Sequence, residues 1–244
     1  MGRLVWVRLF ALGAVALVGC QNVVRTMDVQ LVVAGEEKPL EGAEICETGT
    51  ANCETTDGNG IATLALRANR ELSHTVEKEG YGSLLYPVVT GMVATSAELD
   101  SNMNTDEWLT ENLANLQSSY PFVDTGMILV VIIPRFAGAT LRLLNATGSE
   151  VSYYKDEEGN WRSDLQATTS GGTGRASGFA TGGFVEVGAG VVQVEIGGTA
   201  QGCALDSRSG GTLRGWPGDA PNTIRVPVQN GFETRAVVNC QSPP

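Results

Sequence analysis

The chain of 244 residues contains one histidine, His74, and fewer basic than acidic groups: 16 Lys and Arg against 27 Asp and Glu, a formal charge of −11. One histidine supplies a Ser-His-Asp relay poorly, because nucleophilic catalysis needs a base held beside the serine or cysteine. No Gly-x-Ser-x-Gly elbow occurs, and His74 lies within an alternating segment, where it is expected as a polar residue on the exposed face of a strand. No basic cluster is present, which sets nucleic acid aside as a partner, since that binding runs on Lys and Arg that neutralise phosphates. No apolar run reaches the about 20 residues of a membrane-spanning helix. The glycine-rich stretch from Gly171 to Gly178 lacks the Lys-Ser/Thr of a phosphate loop and reads as a turn before a strand. Acids such as Asp156-Glu157-Glu158, or Glu77 with Glu79, could in principle form the carboxylate pair of a glycosidase. Acids grouped in a polar loop are ordinarily just solvated. No catalytic residue and no cofactor is expected.

What the chain does have begins at its N-terminus. Arg3 and Arg8 precede the apolar run Leu9 to Val18, and the small residue Gly19 stands before Cys20, the layout of a secretory signal. Leu17-Val18-Gly19-Cys20 resembles the lipobox of bacterial lipoproteins. That resemblance implies residues 1–19 as a signal peptide and a diacylglycerol and an acyl chain, such as palmitate, on Cys20. Two chains are what stable anchoring to a membrane requires. Gln21 and Asn22 follow, without the aspartate that resembles an inner-membrane retention signal, which favours the outer membrane of a bacterial envelope. An uncleaved N-terminal anchor is the alternative. Removing Arg3 and Arg8 takes the charge from −11 to −13, which keeps an exported chain dispersed.

Five cysteines are an odd number, and lipid on Cys20 leaves four. These allow three connectivities, of which proximity favours Cys46 with Cys53 and Cys203 with Cys240. Loop-closure entropy puts the short loop at roughly 2.5 kcal/mol and the long one at about 4 kcal/mol, in an oxidising compartment. The spacings Cys-x6-Cys and Cys-x36-Cys match no zinc pattern, so no metal is expected there.

After a tether at 20–26, Met27 to Val33 alternates as a strand, and Leu40 to Cys46 alternates apolar with acidic residues. Thr56-Asp57-Gly58-Asn59-Gly60 is a turn leading into Ile61–Leu66, with Ile61, Thr63 and Ala65 on one face and Ala62, Leu64 and Leu66 on the other. Further strands fit Leu72–Val76 and Leu84–Val89. Short strands at this spacing indicate an antiparallel sandwich. Three blocks, Pro39 to Ile45, Thr55 to Ala62 and Val76 to Tyr81, resemble the carboxypeptidase regulatory-like domains of the transthyretin-like group. The resemblance covers residues 27–90 and implies a seven-stranded β-sandwich with no chemistry of its own.

A linker over 91–126 contains one convincing helix, about residues 105–117, with Asn104 as its cap, Glu107 reaching back in a capping box, and Leu109, Leu113 and Leu116 as its apolar stripe. That stripe should dock on one sandwich or bridge two, unless it binds a partner. Met127–Ile133 reads as a strand buried on both faces. The second half then echoes the first: Ala137 to Leu143 repeats Leu40 to Ile45, and Thr168 to Ala176 repeats Thr55 to Ala62. An all-β chain of two transthyretin-like or Ig-like sandwiches, the second at 127–241, is the economical reading. One large sandwich is the other. Asp57 to Gly60 and Asp156 to Asn160 suit turns, with calcium the open alternative although neither completes an EF-hand. Tyr153, Tyr154, Trp161 and Trp216 sit in charged or glycine-rich segments and are candidate ligand-contact aromatics if exposed, packing residues if not.

These features describe a lipid-anchored envelope protein acting by binding or as a structural module, with the membrane through Cys20, and a glycan or envelope protein, as partners. Polysaccharide binding or envelope assembly are its specific forms, and an envelope hydrolase is less favoured. Cells fed a fatty-acid analogue should label the protein, and Cys20→Ala should lose the label; equal labelling would remove the anchor.

Overall fold

A computed structural model describes residues 26–35, 38–91, 97–135, 137–145, 149–169, 179–207 and 211–241. Cys20 with the signal segment, and the glycine-rich stretch 170–178, lie outside the described residues. No helix among them is long and apolar enough to cross a membrane.

The first half contributes β1 (Thr26–Gly35), β2 (Lys38–Pro39), β3 (Glu44–Glu47), β4 (Cys53–Thr55), β5 (Ile61–Arg67), β6 (Glu71–Glu77), β7 (Leu84–Val89) and β8 (Ala97–Met103). Helix α1 (Asp106–Ala114) follows. The second half contributes β9 (Thr125–Ile133), β10 (Ala139–Leu143), β11 (Val151–Lys155), β12 (Trp161–Arg162), β13 (Ala180–Gly188), β14 (Gly190–Gly198), β15 (Gln201–Leu205), β16 (Trp216–Pro217), β17 (Thr223–Val228) and β18 (Glu233–Gln241).

Strand pairing in the first half recurs in the second. β1 pairs antiparallel with β5 and parallel with β8; β9 pairs antiparallel with β13 and parallel with β18. The antiparallel run β3-β6-β7 is matched by β10-β14-β17. A small clasp recurs too. The N–H of Gly42 donates to Thr56 O at 2.9 Å, that of Thr56 to Ala43 O at 2.9 Å, and that of Ala43 to Thr56 Oγ1 at 2.8 Å. Gly138, Ala139 and Thr168 make the same three bonds at 2.8, 2.9 and 3.0 Å. Both glycines take the left-handed conformation, φ 73° and 83°, that other residues adopt at a cost. Thr168 therefore corresponds to Thr56, one position away from the alignment read from the sequence.

The halves are not separate bodies on a helical linker. β18 also pairs in parallel with β7, Glu233 opposite Leu84 and Thr234 opposite Leu85, which fuses strands of both halves into one ten-stranded sheet. Two four-stranded sheets cover it, one holding β1, β2, β5 and β8, the other β10, β14, β16 and β17. They lie on opposite faces. Side chains alternate along a strand, and Thr234's neighbours Ala236, Val238 and Cys240 pack in the second-half core, whereas Leu84, Tyr86 and Val88, on the Glu233 face, pack in the first-half core.

The leucine stripe of α1 docks as expected. Leu109, Leu113 and Leu116 are buried against Met127, Leu129, Tyr153, Trp161 and Val185, on the Glu233 face of the ten-stranded sheet. The cap differs: Thr105 is extended, and its Oγ1 accepts the Trp108 N–H at 3.2 Å. Asn104 instead accepts the Gly82 N–H through its carbonyl, and Thr105 forms a bridge to Tyr81, so strand-like pairing persists one residue further than expected. Trp108 then occupies the third helical position, and no Glu107 capping box forms.

His74 is also a correction. It is 1% exposed, stacked on Tyr86 with ring centroids 5.3 Å apart. It shares a strand face with Leu72 and Val76, which both belong to the first-half core. Burial pushes its pKa down from 6.5 to about 4. The unfolded chain takes up the proton first, so this contribution to stability is complete above pH 6.5 and is lost as pH falls toward 4. By about pH 5 the loss should reach about 2 kcal/mol. Urea unfolding of the wild type and of His74→Phe at neutral pH and near pH 5 checks this: the acid-induced drop should shrink in the variant.

Candidate functional site

Because the two covering sheets lie on opposite faces, the Glu233 face of the second half is left to α1 and to a cleft beside it. The cleft has a volume of about 350 Å3. Register places its floor. Arg235 lies opposite Leu129, Val237 and Thr181 both lie opposite Val131, and Lys155 lies opposite Trp161, all on one face. Tyr86 of β7, Asn102 of β8, Asn104, Phe179 and Arg214 complete the lining. A larger groove of about 650 Å3 runs past Glu44, Glu77, Glu79 and Asp106, but it is more open to solvent.

Among the described residues, three cations and no carboxylate line the cleft. Arg235 is held rigidly: its Nε lies 2.5 Å from Glu233 Oε1, and Nη1 donates to Asn102 O at 2.5 Å and to Tyr86 Oη at 3.4 Å. Burial opposes its charge, but Glu233 beside it holds the guanidinium protonated. The Tyr86 hydroxyl also accepts from Ser101 Oγ at 2.8 Å, so the wall reaches back to β8. Arg214 stands 3.9 Å from Asp206. Lys155 is half-buried, and among the described residues its ammonium makes no hydrogen bond or ion pair. Burial pushes its pKa down; Glu233 pulls it up and Arg235 pushes it down further. Trp161 is fully buried yet lines the cleft, and its Nε1 has no partner among the described residues.

The four aromatics singled out in the sequence are not exposed stacking platforms. Tyr153 and Trp161 belong to the cluster under α1, with Trp161 edge-on to Trp108 at 5.1 Å and tilted against Tyr153 at 5.2 Å. Tyr154 faces the opposite core, where its hydroxyl accepts the Leu141 N–H at 2.7 Å. Trp216 is half-buried and donates its indole N–H to Leu72 O at 2.9 Å, tying the second-half cover to β6. Alternation explains the opposite fates of Tyr153 and Tyr154. Of the four, only Trp161 reaches the cleft.

The acidic turns spend their carboxylates on their own backbone. Asp57 Oδ1 accepts the N–H groups of Asn59 and Ile61, both at 2.9 Å, and these bonds hold its pKa down. Asp156 does likewise with Asn160 at 2.8 Å. The cysteines pair as proximity suggested: Cys46–Cys53 directly across β3 and β4, and Cys203–Cys240 between β15 and β18, with Cα atoms 4.1 and 4.0 Å apart. Glu44 lies beside the first pair, but both sulfurs are in the disulfide and leave no thiolate for a metal.

Sequence reasoning did not single out Asn102, Lys155, Thr181, Arg214 or Arg235. A usable signal existed only in β18, where Glu233 and Arg235, two apart in an alternating run, had to share a face.

Glu233 is 2% exposed; its Oε1 pairs with Arg235, and its Oε2 has no hydrogen-bond partner among the described residues. Arg235→Met should destabilise the protein by about 3 kcal/mol or more, because it strands a buried carboxylate. The double variant Glu233→Gln, Arg235→Met should lose less, as denaturant midpoints would show.

No family model matches the chain, and no curated protein matches it. Similar solved structures include the TIE protein of Bacillus anthracis, with 14% identity over 89% of this chain and 34% of that one, and a TM-score of 0.25. The chain thus spans about a third of that protein's length. The minor pilin GBS52 of Streptococcus agalactiae matches at 10% identity, covering 89% of this chain and 97% of its own, with a TM-score of 0.27. The family CBM26 module of Eubacterium rectale Amy13K, solved with maltoheptaose, matches at 11% identity, 89% and 98% coverage, and a TM-score of 0.30.

Proposed function

We propose that this is a non-catalytic binding module of the bacterial envelope, anchored through lipid on Cys20, that takes its ligand in the cleft beside α1. The observation that carries the reading is the lining itself: three cations, neutral hydrogen-bonding side chains and apolar walls, with no carboxylate, histidine or thiol among the described lining residues. Such a surface recognises and orients, in the manner of small-molecule sites with a few convergent polar groups. A hydrolase would call for an acid and a base facing each other across the cleft.

The address rests on the N-terminal segment, Arg3 and Arg8, the apolar run and Leu17-Val18-Gly19-Cys20. Two disulfides support export to an oxidising compartment. The outer membrane is the proposed site, since no aspartate follows Cys20. A sugar chain or an envelope protein are the two partner classes, and the size of the cleft favours the sugar.

Affinity electrophoresis of the mature chain through gels containing alginate, hyaluronan, dextran or starch tests the reading. Retention by at least one polymer is expected, with Lys155→Ala migrating freely at an unchanged melting temperature. Free migration of the wild type in all four would overturn it.

A further inference from the structure

Resting on that reading, we infer that the cleft is a subsite for an acidic sugar, with the carboxylate against Lys155 and the ring between the apolar wall and Asn102, Asn104 and Thr181. In a chain of net charge −11, this cleft gathers, among the described residues, three cations and no anion. The three are not equivalent. Arg235 is already committed to Glu233, Tyr86 and the Asn102 carbonyl, and Arg214 stands near Asp206. The Lys155 ammonium has no hydrogen bond or ion pair among the described residues, and Glu233 Oε2 is itself without a hydrogen-bond partner. A half-buried ammonium gains most from an anion that enters the cleft, since charge-assisted bonds in a partly desolvated site are the strong ones. Burial pushes the Lys155 pKa down by more than Glu233 pulls it up.

The neutral groups narrow the class. Asn102, Asn104 and Thr181 each offer both a donor and an acceptor, which matches hydroxyl groups that also do both. Phe179, 38% exposed, forms an apolar edge. At about 350 Å3 the cleft has room for one or two sugar rings and not for a folded partner. One uncommitted ammonium balances one carboxylate.

Calorimetric titration of the mature chain with digalacturonate, its dimethyl ester, galactose 6-phosphate and a Glu-rich peptide tests the assignment. Digalacturonate should bind, and the uncharged ester should bind at least about tenfold more weakly. Binding should also weaken as salt rises from about 0.05 to about 0.5 M. Lys155→Gln should lose at least about tenfold and Lys155→Arg should retain most of the affinity, because charge is the feature read. Thr181→Val, which keeps the shape of the side chain, should weaken digalacturonate too, and serves as the variant if Lys155→Gln fails to fold. Equal binding of acid and ester, or of Lys155→Gln and wild type, overturns the carboxylate. Tighter binding of galactose 6-phosphate or of the peptide replaces the ligand class while the binding-module reading stands. No binding of any probe here, together with free migration in all four gels, removes both.

Discussion

The parallel contact between β18 and β7 is the constraint on which the remaining architecture depends. Only two residue pairs form it, Glu233 with Leu84 and Thr234 with Leu85. They join the outer edge of one half's sheet to that of the other, and both edges would otherwise expose unpaired backbone groups. The continuous sheet then has two faces and two covers. Each cover occupies one end on one face, so the opposite face of each end needs something else. Over the second half that need is met by the leucines of α1, and what α1 does not reach is the cleft.

Electrostatics at this junction follow from the same geometry. Glu233 and Arg235 enter the interior because β18 runs between β9 and β7, with neighbours on both edges. A buried ion pair of this kind contributes little net stability, since desolvation offsets much of the attraction. What it supplies is position. Arg235 bonds to the Asn102 carbonyl at the end of β8 and approaches the Tyr86 hydroxyl, so one side chain of the second half holds two strands of the first. The tie from Trp216 to Leu72 O and the ion pair of Arg225 with Glu71 hold the halves together through the other cover.

Much of the strand content was legible, because alternation is a local signal. Ala62, Leu64 and Leu66 are buried as the pattern of β5 indicates, and β9 is buried on both faces. The two-residue repeat that read β6 correctly also placed His74 with Leu72 and Val76, and its polarity misled where its register did not. β8 and β18 went unnoticed. β8, Ala97–Met103, looks polar, and both strands owe their place to parallel partners: β8 pairs with β1 and β18 with β9. Parallel pairing leaves no hairpin turn to announce it. Asn104 was a sound cap by composition, but the pairing at Thr105 moved the helix start.

Local chemistry in the sequence was sufficient for the strand faces, the acidic turns, the helix stripe and the cysteine pairs, because each depends on neighbours a few residues away or on a short list of partners. Tertiary structure alone decided that the two halves share a sheet, which core each of Tyr153 and Tyr154 enters, and that Lys155, Arg214 and Arg235 line one cleft. Those outcomes depend on which strand edges meet. Strands as far apart in sequence as β7 and β18 meet through backbone hydrogen bonds, which every residue other than proline can donate and accept, and which therefore leave no mark in the side chains.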